Sequence, residues 1–145
     1  MALSCQAARL QPGEAVLEVG TGTGYSAAIA SRMCRRVVTV ENVRRLHDFA
    51  AANLKAFGNV EALFGDGLLG REQEAPFDKI ILTGRCSEVP ANLLKQLKPG
   101  GLMVAPIGDA WEQKLTVVEK IDDSHTKQKV IENVVFVPIR EGTFA

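Results

Sequence analysis

The chain has 145 residues, the size of a single domain. Apolar residues make up 46% and charged residues 23%, and seventeen basic side chains balance seventeen acidic ones. This balance excludes a strong overall field that would attract nucleic acid or an anionic membrane. The three cysteines form no Cys-x-x-Cys pair and the two histidines are isolated, so neither a disulfide framework nor a metal site is expected.

Targeting signals are also not recognisable in the sequence. No apolar run approaches the roughly 18 residues that a membrane span needs. The opening "MALSCQAARLQPGE" lacks the charged start and long apolar stretch of a signal peptide. We therefore expect a cytoplasmic protein that binds no membrane.

Strands and helices alternate along the first two thirds of the chain. A strand over 15–20 is followed by a helix rich in small residues over 25–36 and by a second strand over 37–41. Apolar residues at helical spacing then run from Val43 to Phe57, and Gly58 suits the position after a helix. The remaining predictions are strands over 59–67, 77–84 and 102–108, a helix over 89–97 that begins near Pro90, and a turn over 98–101.

The alternation stops after residue 108. The segments 112–121 and 129–139 have the composition of strands and flank the polar turn "DDSHT", which predicts an antiparallel hairpin. The whole pattern predicts one α/β domain over residues 1–145, a doubly wound Rossmann-like sheet of five parallel strands plus this C-terminal β-hairpin. Ligands of such sheets bind at the carboxyl ends of the central strands.

A glycine-rich stretch, "VLEVGTGTGYSAA" at 16–28, joins the first strand to the first helix of that alternation. A dinucleotide fingerprint needs Gly-x-Gly-x-x-Gly, and here Gly20 and Gly22 fit but Tyr25 holds the third position. The next glycine comes one residue early, at Gly24. The glycines alone are also compatible with a tight strand-to-helix turn that binds nothing.

Three acids follow the first three strands, at the same predicted edge of the sheet. Glu18 precedes the glycines, and Glu41 ends the second strand, where a carboxylate can accept hydrogen bonds from both ribose hydroxyls. Asp66 lies between two glycines, where it can accept from an adenine amino group. Singly, each is compatible with an ordinary strand-end or turn acid. Together they indicate an adenosine site without a phosphate cradle, which S-adenosyl-L-methionine would fit.

The sequence resembles the protein-L-isoaspartate O-methyltransferase family from about residue 9 to 139. The resemblance is carried by "VLEVGTGTGYSAA", "VTVE", "FGDG", "APFDKIILTG", "VPANLLKQLKPGGLMVAPIG" and "VVFVPI". It implies an enzyme that uses S-adenosyl-L-methionine to methylate the free carboxylate of isoaspartyl residues in damaged proteins or peptides. The cofactor-binding residues that this implies are Glu18, Gly20, Thr21, Gly22, Thr23, Gly24, Tyr25, Ser26, Glu41, Asn42, Gly65, Asp66 and Gly67.

The chemistry expected from that resemblance does not need a general base. A carboxylate with a pKa near 4 is already ionised at neutral pH, so proximity, alignment and exclusion of water can supply most of the acceleration. We accordingly name no catalytic residue. An amino-group methyltransferase of the nucleic-acid type would show Asn/Asp-Pro-Pro-aromatic after the fourth strand, where this chain has "LTGRC".

The chain departs from the family pattern in two places. Family members carry a substantial segment before the glycine motif, and "MALSCQAARLQPGE" resembles only its last helix, which leaves Met1 and Leu3 either in the core or on a bare surface. Gly84 and Arg85 stand where the family has small alanines. We place Thr83 and Arg85 on the substrate side, although an exposed loop arginine is the alternative for Arg85.

Three functional hypotheses remain after the sequence alone. The first is an isoaspartyl O-methyltransferase whose active site is covered by an N-terminal segment or a partner. The second is a cofactor-binding or partner-binding module that keeps the fold and is inactive alone. The third, a nicotinamide dehydrogenase, is disfavoured by Tyr25 and by the lack of a proton-transfer pair.

Overall fold

A computed structural model describes residues 2–145, and Met1 lies outside the described residues. The helices and strands follow the alternation of the sequence and end in a hairpin. In chain order they are α1 (Ala2–Ala8), β1 (Ala15–Val19), α2 (Tyr25–Ser31), β2 (Arg36–Glu41), α3 (Arg44–Leu54), β3 (Val60–Phe64), a 3₁₀ turn (Gly67–Leu69), β4 (Phe77–Leu82), α4 (Ala91–Lys95), β5 (Leu97–Gly108), β6 (Gln113–Lys120) and β7 (Thr126–Val134).

The strands form one seven-stranded sheet in the order β3-β2-β1-β4-β5-β6-β7. Strands β1 to β5 pair in parallel, whereas β6 and β7 add antiparallel pairs beyond β5. This confirms the predicted doubly wound sheet with a C-terminal hairpin. The strand order reverses between β1 and β4, so a crevice opens at the carboxyl ends of these two strands.

The core lies on both faces of the parallel strands. In β1, Val16 packs on the face covered by α1 and α2, while Leu17 packs on the opposite face with Leu93 of α4. Residues Val16 to Val19 are all buried, which is why this strand reads as a nearly continuous apolar run. Leu3 packs against the core at its edge, and Cys5 and Ala8 of α1 are buried within it.

Several predicted boundaries are wrong by a few residues. Helix α2 ends at Ser31 instead of residue 36, because the amides of Arg32 and Met33 turn back to the carbonyls three residues earlier. Helix α3 ends at Leu54, so Gly58 is not its first residue beyond the end. Pro90 precedes α4 rather than opening its first turn, and the predicted turn over 98–101 belongs to an irregular start of β5.

The last strand differs most from the prediction. It spans 126–134 rather than 129–139, so Thr126 belongs to the strand and the turn before it is shorter. The chain then leaves the sheet, and residues 137–144, here called the C-terminal strap, cross the carboxyl edge of the parallel strands. Their apolar composition reflects docking on that edge.

Within residues 2–145 no helix combines the length and apolarity needed to cross a membrane. Over the same residues no group of three or more His, Cys, Asp or Glu side chains is arranged to hold a metal ion.

Candidate functional site

A cavity of about 520 Å³ opens at the carboxyl ends of β1, β2 and β4. Its floor is the glycine loop between β1 and α2, and its sides are the end of β2, the end of β4 and the C-terminal strap. Of the residues predicted from the sequence, those that line it are Gly20, Thr21, Gly22, Thr23, Tyr25, Ser26, Glu41, Asn42, Gly67 and Thr83.

The glycine loop depends on backbone conformations that L-residues rarely adopt. Gly20 has φ +94° and Gly22 has φ +56°. A Cβ on Gly20 would collide with the hydroxyl of Thr83, whereas one on Gly22 would meet no atom of the chain within 4 Å. Thr83 Oγ1 lies 3.0 Å from the carbonyl oxygen of Val19, so its hydroxyl holds the loop from beneath. The open space at Gly22 is therefore available to a ligand.

Glu41 is buried at the side of the cavity and fixes the loop. Its Oε2 accepts the Gly22 N–H at 2.9 Å and its Oε1 accepts the Val43 N–H at 3.0 Å. Only 5% of the residue is exposed, which rules out a solvated strand-end acid. Each carboxylate oxygen keeps a lone pair, so the group can still accept hydrogen bonds from a ligand.

Glu18 does not line the cavity, which corrects the expectation from the sequence. Side chains alternate along β1, so Glu18 lies on the face covered by α2, whereas Val19 reaches the cavity. Its Oε1 accepts the Thr39 hydroxyl at 2.7 Å, and the hydroxyls of Thr39 and Thr21 are also 2.7 Å apart. Complete burial raises the pKa of Glu18 to about 7, although the Thr39 hydrogen bond partly offsets this effect.

The surroundings of Glu18 form a buried polar cluster beneath the glycine loop. The hydroxyl of Ser26 is buried there and has no hydrogen-bond partner within the described residues. Burial, and then the charge of Glu18, raise the pKa of the nearby Cys5 thiol. The negative charge of Glu41 also raises the pKa of Glu18. A positive charge in the cavity would thus favour the ionised forms of both Glu18 and Glu41.

Asp66 lies behind the C-terminal strap rather than in the cavity wall. Its Oδ1 accepts the Leu68 N–H at 2.9 Å, which caps the 3₁₀ turn, and its Oδ2 accepts the Gly142 N–H at 2.7 Å. Gly65 is likewise absent from the lining. Gly67 does line it, and a Cβ there would lie 2.6 Å from Cγ1 of Val19.

Gly24 and Arg85 are the other predicted residues that do not line the cavity. Gly24 is the N-cap of α2 with φ +89°, and a Cβ on it would press against Leu54 behind the loop. Arg85 is partly exposed, and its backbone pairs with the strap through Val137 and Ile139 at 2.9 and 3.0 Å. The structure therefore places Arg85 beside the cavity, as a residue that holds the strap.

The sequence reasoning missed the contribution of the strap and of the segment after Glu41. Gly84 needs to be glycine because Ile139 Cγ1 would lie 2.6 Å from its Cβ. Strap residues 137–139 belong to the segment 129–139 whose composition predicts a strand, and Pro138, which cannot donate to a strand ladder, is a signal against that prediction. The lining residues that were not predicted are Val19, Val40, Val43, Leu46, Gly84, Val137, Pro138, Ile139 and Arg140.

Comparison with known proteins assigns the chain. The family model for protein-L-isoaspartate(D-aspartate) O-methyltransferase matches residues 1–143. A protein-L-isoaspartate O-methyltransferase of Methanopyrus kandleri is 45% identical over 135 residues, which cover 89% of this chain and 60% of the relative. A protein-L-isoaspartate O-methyltransferase 2 of Archaeoglobus fulgidus is 43% identical over 145 residues, covering 97% of this chain and 66% of the relative.

Solved structures agree with these matches. A protein-L-isoaspartate O-methyltransferase superposes with a TM-score of 0.84 at 33% identity, covering 94% of this chain and 45% of that one. A second structure, described as a protein of this kind from Plasmodium falciparum in complex with S-adenosyl-L-homocysteine, has a TM-score of 0.79 at 23% identity and covers 96% of this chain and 72% of that one. The second likeness concerns the fold.

The sheet order and the glycine-loop cavity define an α/β methyltransferase fold. Within that class, the chain belongs to the protein-L-isoaspartate(D-aspartate) O-methyltransferase family. It spans about 60% of the length of the Methanopyrus kandleri relative.

Proposed function

We propose that the chain is an S-adenosyl-L-methionine-dependent O-methyltransferase that acts on the carboxylate of isoaspartyl residues in proteins or peptides. The observation that carries this proposal is the cavity formed by the glycine loop and Glu41 in a chain of this family. We further propose a cytoplasmic location, with no role for nucleic acid or a membrane.

The shape and donor set of the cavity fit a nucleoside cofactor without phosphates. A volume of about 520 Å³ lies within the range of about 300–1,000 Å³ that small-molecule sites occupy. We assign the ribose hydroxyls to the free lone pairs of Glu41, with Asn42 beside it. Tyr25 lines the cavity at the position where a dinucleotide fingerprint has its third glycine, which allows the close approach of helix and pyrophosphate.

Charge supports the same ligand. S-adenosyl-L-methionine carries a cationic sulfonium and an ammonium, and the loop separates the cavity from the buried carboxyl of Glu18. Burial raises the pKa of Glu18 to about 7. A cation bound in the cavity would lower this pKa again, because a nearby positive charge favours the ionised carboxylate. The polar cluster beneath the loop therefore supports a ligand of positive charge, although Glu18 itself does not line the cavity.

The reaction requires little of the protein beyond binding and alignment. The bound cofactor supplies an electrophilic methyl group, and the acceptor carboxylate is already ionised at neutral pH. The chain's residues hold the nucleoside through Glu41 and the glycine loop, and the substrate enters over the exposed rim. Tyr25 and Thr83 face that rim from the loop and from the end of β4, and Arg85 flanks it.

A second candidate function is cofactor binding without methyl transfer by this chain alone. The observation that favours it is the open rim, where Tyr25 is 67% and Val137 is 75% exposed. A carboxylate held there would keep its hydration, and misplacement by about 1 Å can cost on the order of 100-fold in rate. A further segment or a partner protein that covers this rim would supply what is missing.

Titration and turnover distinguish the two candidates. Isothermal titration of the 145-residue chain with S-adenosyl-L-homocysteine tests the cofactor site, and we expect saturable one-to-one binding. Methyl transfer is then measured with an isoaspartyl peptide and with the same peptide carrying ordinary aspartate. Transfer selective for the isoaspartyl peptide supports the enzyme, binding without transfer supports the second candidate, and absence of binding contradicts both.

A further inference from the structure

We infer that Trp111, Val135 and Val137 form a docking surface, here called the outer patch, for the apolar side chains that flank the methyl-accepting residue of a polypeptide substrate. Trp111 is 95% and Val135 is 93% exposed, and Val137 is also largely exposed. The inference rests on the proposed function, because it takes the acceptor to be an isoaspartyl residue within a polypeptide. It makes Trp111 a residue that determines which substrates are preferred.

The turn between β5 and β6 presents Trp111 in a fixed position. Asp109 Oδ1 accepts the N–H groups of Trp111 and Glu112 at 2.7 and 2.8 Å, and the Asp109 N–H donates to the carbonyl oxygen of Glu112 at 3.0 Å. Gly108 has φ +145°, and a Cβ on it would collide with the same carbonyl oxygen. Three hydrogen bonds and a required glycine close this turn. The exposure of Trp111 is therefore not the result of a loose loop.

The end of β7 brings the two valines to the same edge of the sheet. The side-chain amide of Gln113, two residues after Trp111, accepts the Phe136 N–H at 2.8 Å and donates to the Phe136 carbonyl oxygen at 3.2 Å. Phe136 is half-buried, whereas Val135 and Val137 on either side of it are exposed. The valines are thus presented to solvent beside the turn that carries the tryptophan.

The outer patch is continuous with the rim where the acceptor carboxylate would enter. Val137 itself lines the cavity, and its carbonyl oxygen accepts the Arg85 N–H at 2.9 Å. The next residue, Cys86, accepts the Gly108 N–H at 2.9 Å through its carbonyl oxygen. Because β5 is the neighbour of β4, the turn with Trp111 lies one strand beyond the cavity, on the same edge of the sheet.

A polypeptide acceptor accounts for an apolar surface at this place. A residue within a chain continues into neighbours on both sides, and an extended chain advances about 3.3 Å per residue. When its carboxylate lies at the rim, its neighbours must lie on the surfaces that border the rim, and one of these is the outer patch. Single exposed apolar residues are ordinary, but a rigid tryptophan beside other exposed apolar side chains is typical of a binding surface.

The first test uses the fluorescence of Trp111, which is the only tryptophan in the sequence. The 145-residue chain is saturated with S-adenosyl-L-homocysteine and titrated with two isoaspartyl peptides of equal length. One peptide has leucine at the two positions on each side of the isoaspartyl residue, and the other has serine there. We expect the leucine peptide to shift the emission to shorter wavelength and to protect it from acrylamide. The cofactor product alone should do neither, since Trp111 does not line the cavity.

The second test measures peptide affinities by calorimetry in variants of the chain. Trp111→Ala should weaken the leucine peptide roughly tenfold or more, as expected for an interfacial tryptophan, and the serine peptide by less than about twofold. Trp111→Phe should retain most of the affinity for the leucine peptide. Phe49→Ala removes an exposed aromatic ring outside the cavity wall and should change neither affinity. All three variants should bind S-adenosyl-L-homocysteine as the unaltered chain does.

Other results overturn the inference. An unchanged emission when calorimetry shows the leucine peptide to be bound would exclude the outer patch from the path of the substrate. Equal losses for both peptides in Trp111→Ala would show that Trp111 does not distinguish the flanking side chains. Emission that shifts with protein concentration, together with a dimer in sedimentation, would make a second copy of the chain the occupant.

Failure of the inference is distinguishable from failure of the proposed function. A chain that binds S-adenosyl-L-homocysteine but neither peptide keeps its cofactor site and contradicts the docking surface. A chain that binds no S-adenosyl-L-homocysteine contradicts the proposed function, and the inference fails with it. Calorimetry with S-adenosyl-L-homocysteine is therefore carried out before any peptide is added.

Discussion

The inner strands β1 and β2 and the edge strand β7 differ in how far their residues are buried. In β1 and β2 nearly every side chain is buried, and the burial includes the carboxyl groups of Glu18 and Glu41. In β7 every residue except Val134 is exposed, although the strand pairs with β6 along its length. Burying acids is unfavourable for stability, whereas a positive φ costs a glycine little. The two buried acids, Glu18 and Glu41, belong to the strands that border the cavity.

The difference indicates which substitutions should separate binding from folding. In β1 and β2, the buried acids and the glycine loop are attached to a well-packed strand core, so the site can be damaged while the sheet persists. In β7, we expect the exposed side chains to contribute little to binding or to folding. The strap connects the two regions because it follows β7 and contacts the loop after β2.

The largest loss is expected from Gly22→Val. A β-branched residue at φ +56° is strained, and its side chain would fill the open space that we assign to the cofactor. We expect calorimetry to detect no S-adenosyl-L-homocysteine binding. Gly100→Val, at φ +80° and with no chain atom within 4 Å of its Cβ, is the control for strain alone. Normal binding by the Gly22 variant would show that the loop faces away from the ligand.

Glu41→Ala should weaken cofactor binding while preserving the fold. The loss should be roughly 1.5–3 kcal/mol, the value typical of hydrogen bonds to a charged group. The structure adds a second reason, since the carboxylate also accepts the N–H groups of Gly22 and Val43. Glu61→Ala, which breaks an ion pair with Arg36 outside the cavity wall, is the control. An unchanged affinity in Glu41→Ala would remove this residue from the site.

The sequence predicted the sheet and the glycine loop because both depend on local pattern. Continuous apolar strands separated by helices predict a doubly wound sheet of five parallel strands, and the spacing from Gly20 to Glu41 places an acid at the next strand end. Glu41 lines the cavity as its position predicts. Its two backbone hydrogen bonds could not be predicted, since they depend on how the loop folds back.

The misplaced residues depend on facts that local pattern does not contain. Glu18 and Val19 are neighbours in β1, so their side chains point to opposite faces of the sheet. The sequence does not say which of these faces meets the cavity. Asp66 follows its strand as predicted, but one of its carboxylate oxygens accepts the N–H of Gly142, which is distant in sequence. The composition of 129–139 predicts a strand up to residue 139 because apolar residues are typical both of a strand and of a segment that docks on a sheet edge.

Glu18→Gln should change how stability depends on pH. Burial raises the pKa of Glu18 from about 4.5 to about 7 on folding, so the folded chain holds this proton where the unfolded chain releases it. The contribution of the neutral carboxyl group to the free energy of unfolding is fully present below about pH 4.5 and is lost as the pH rises through about 7.

The difference in the free energy of unfolding between the unaltered chain and the Glu18→Gln variant separates this effect from that of other titrating groups. At pH 8 the Gln variant should be the more stable by about 2 kcal/mol, after the cost of a buried amide is subtracted. At pH 4 the order should reverse, because Glu18 is then largely protonated in both the folded and unfolded states and only the cost of the buried amide remains. Urea unfolding of both chains from pH 4 to 8 measures it, and parallel stability curves would contradict a raised pKa.

The smallest effects are expected in β7, and a matched pair of valines tests this end of the comparison. Val130 in β7 is 55% exposed, whereas Val16 in β1 is fully buried. Val130→Ala removes little apolar contact, so its cost should stay below about 1 kcal/mol, the span of strand propensities. Val16→Ala removes methyl groups from a packed core and should cost about 1.5–3 kcal/mol.

Neither residue lines the cavity. Both variants should therefore bind S-adenosyl-L-homocysteine with unchanged affinity while they remain folded. Weaker binding in Val130→Ala would mean that β7 acts on the cavity through the strap that follows it. The contrast between strands β1 and β2 and strand β7 would then no longer hold.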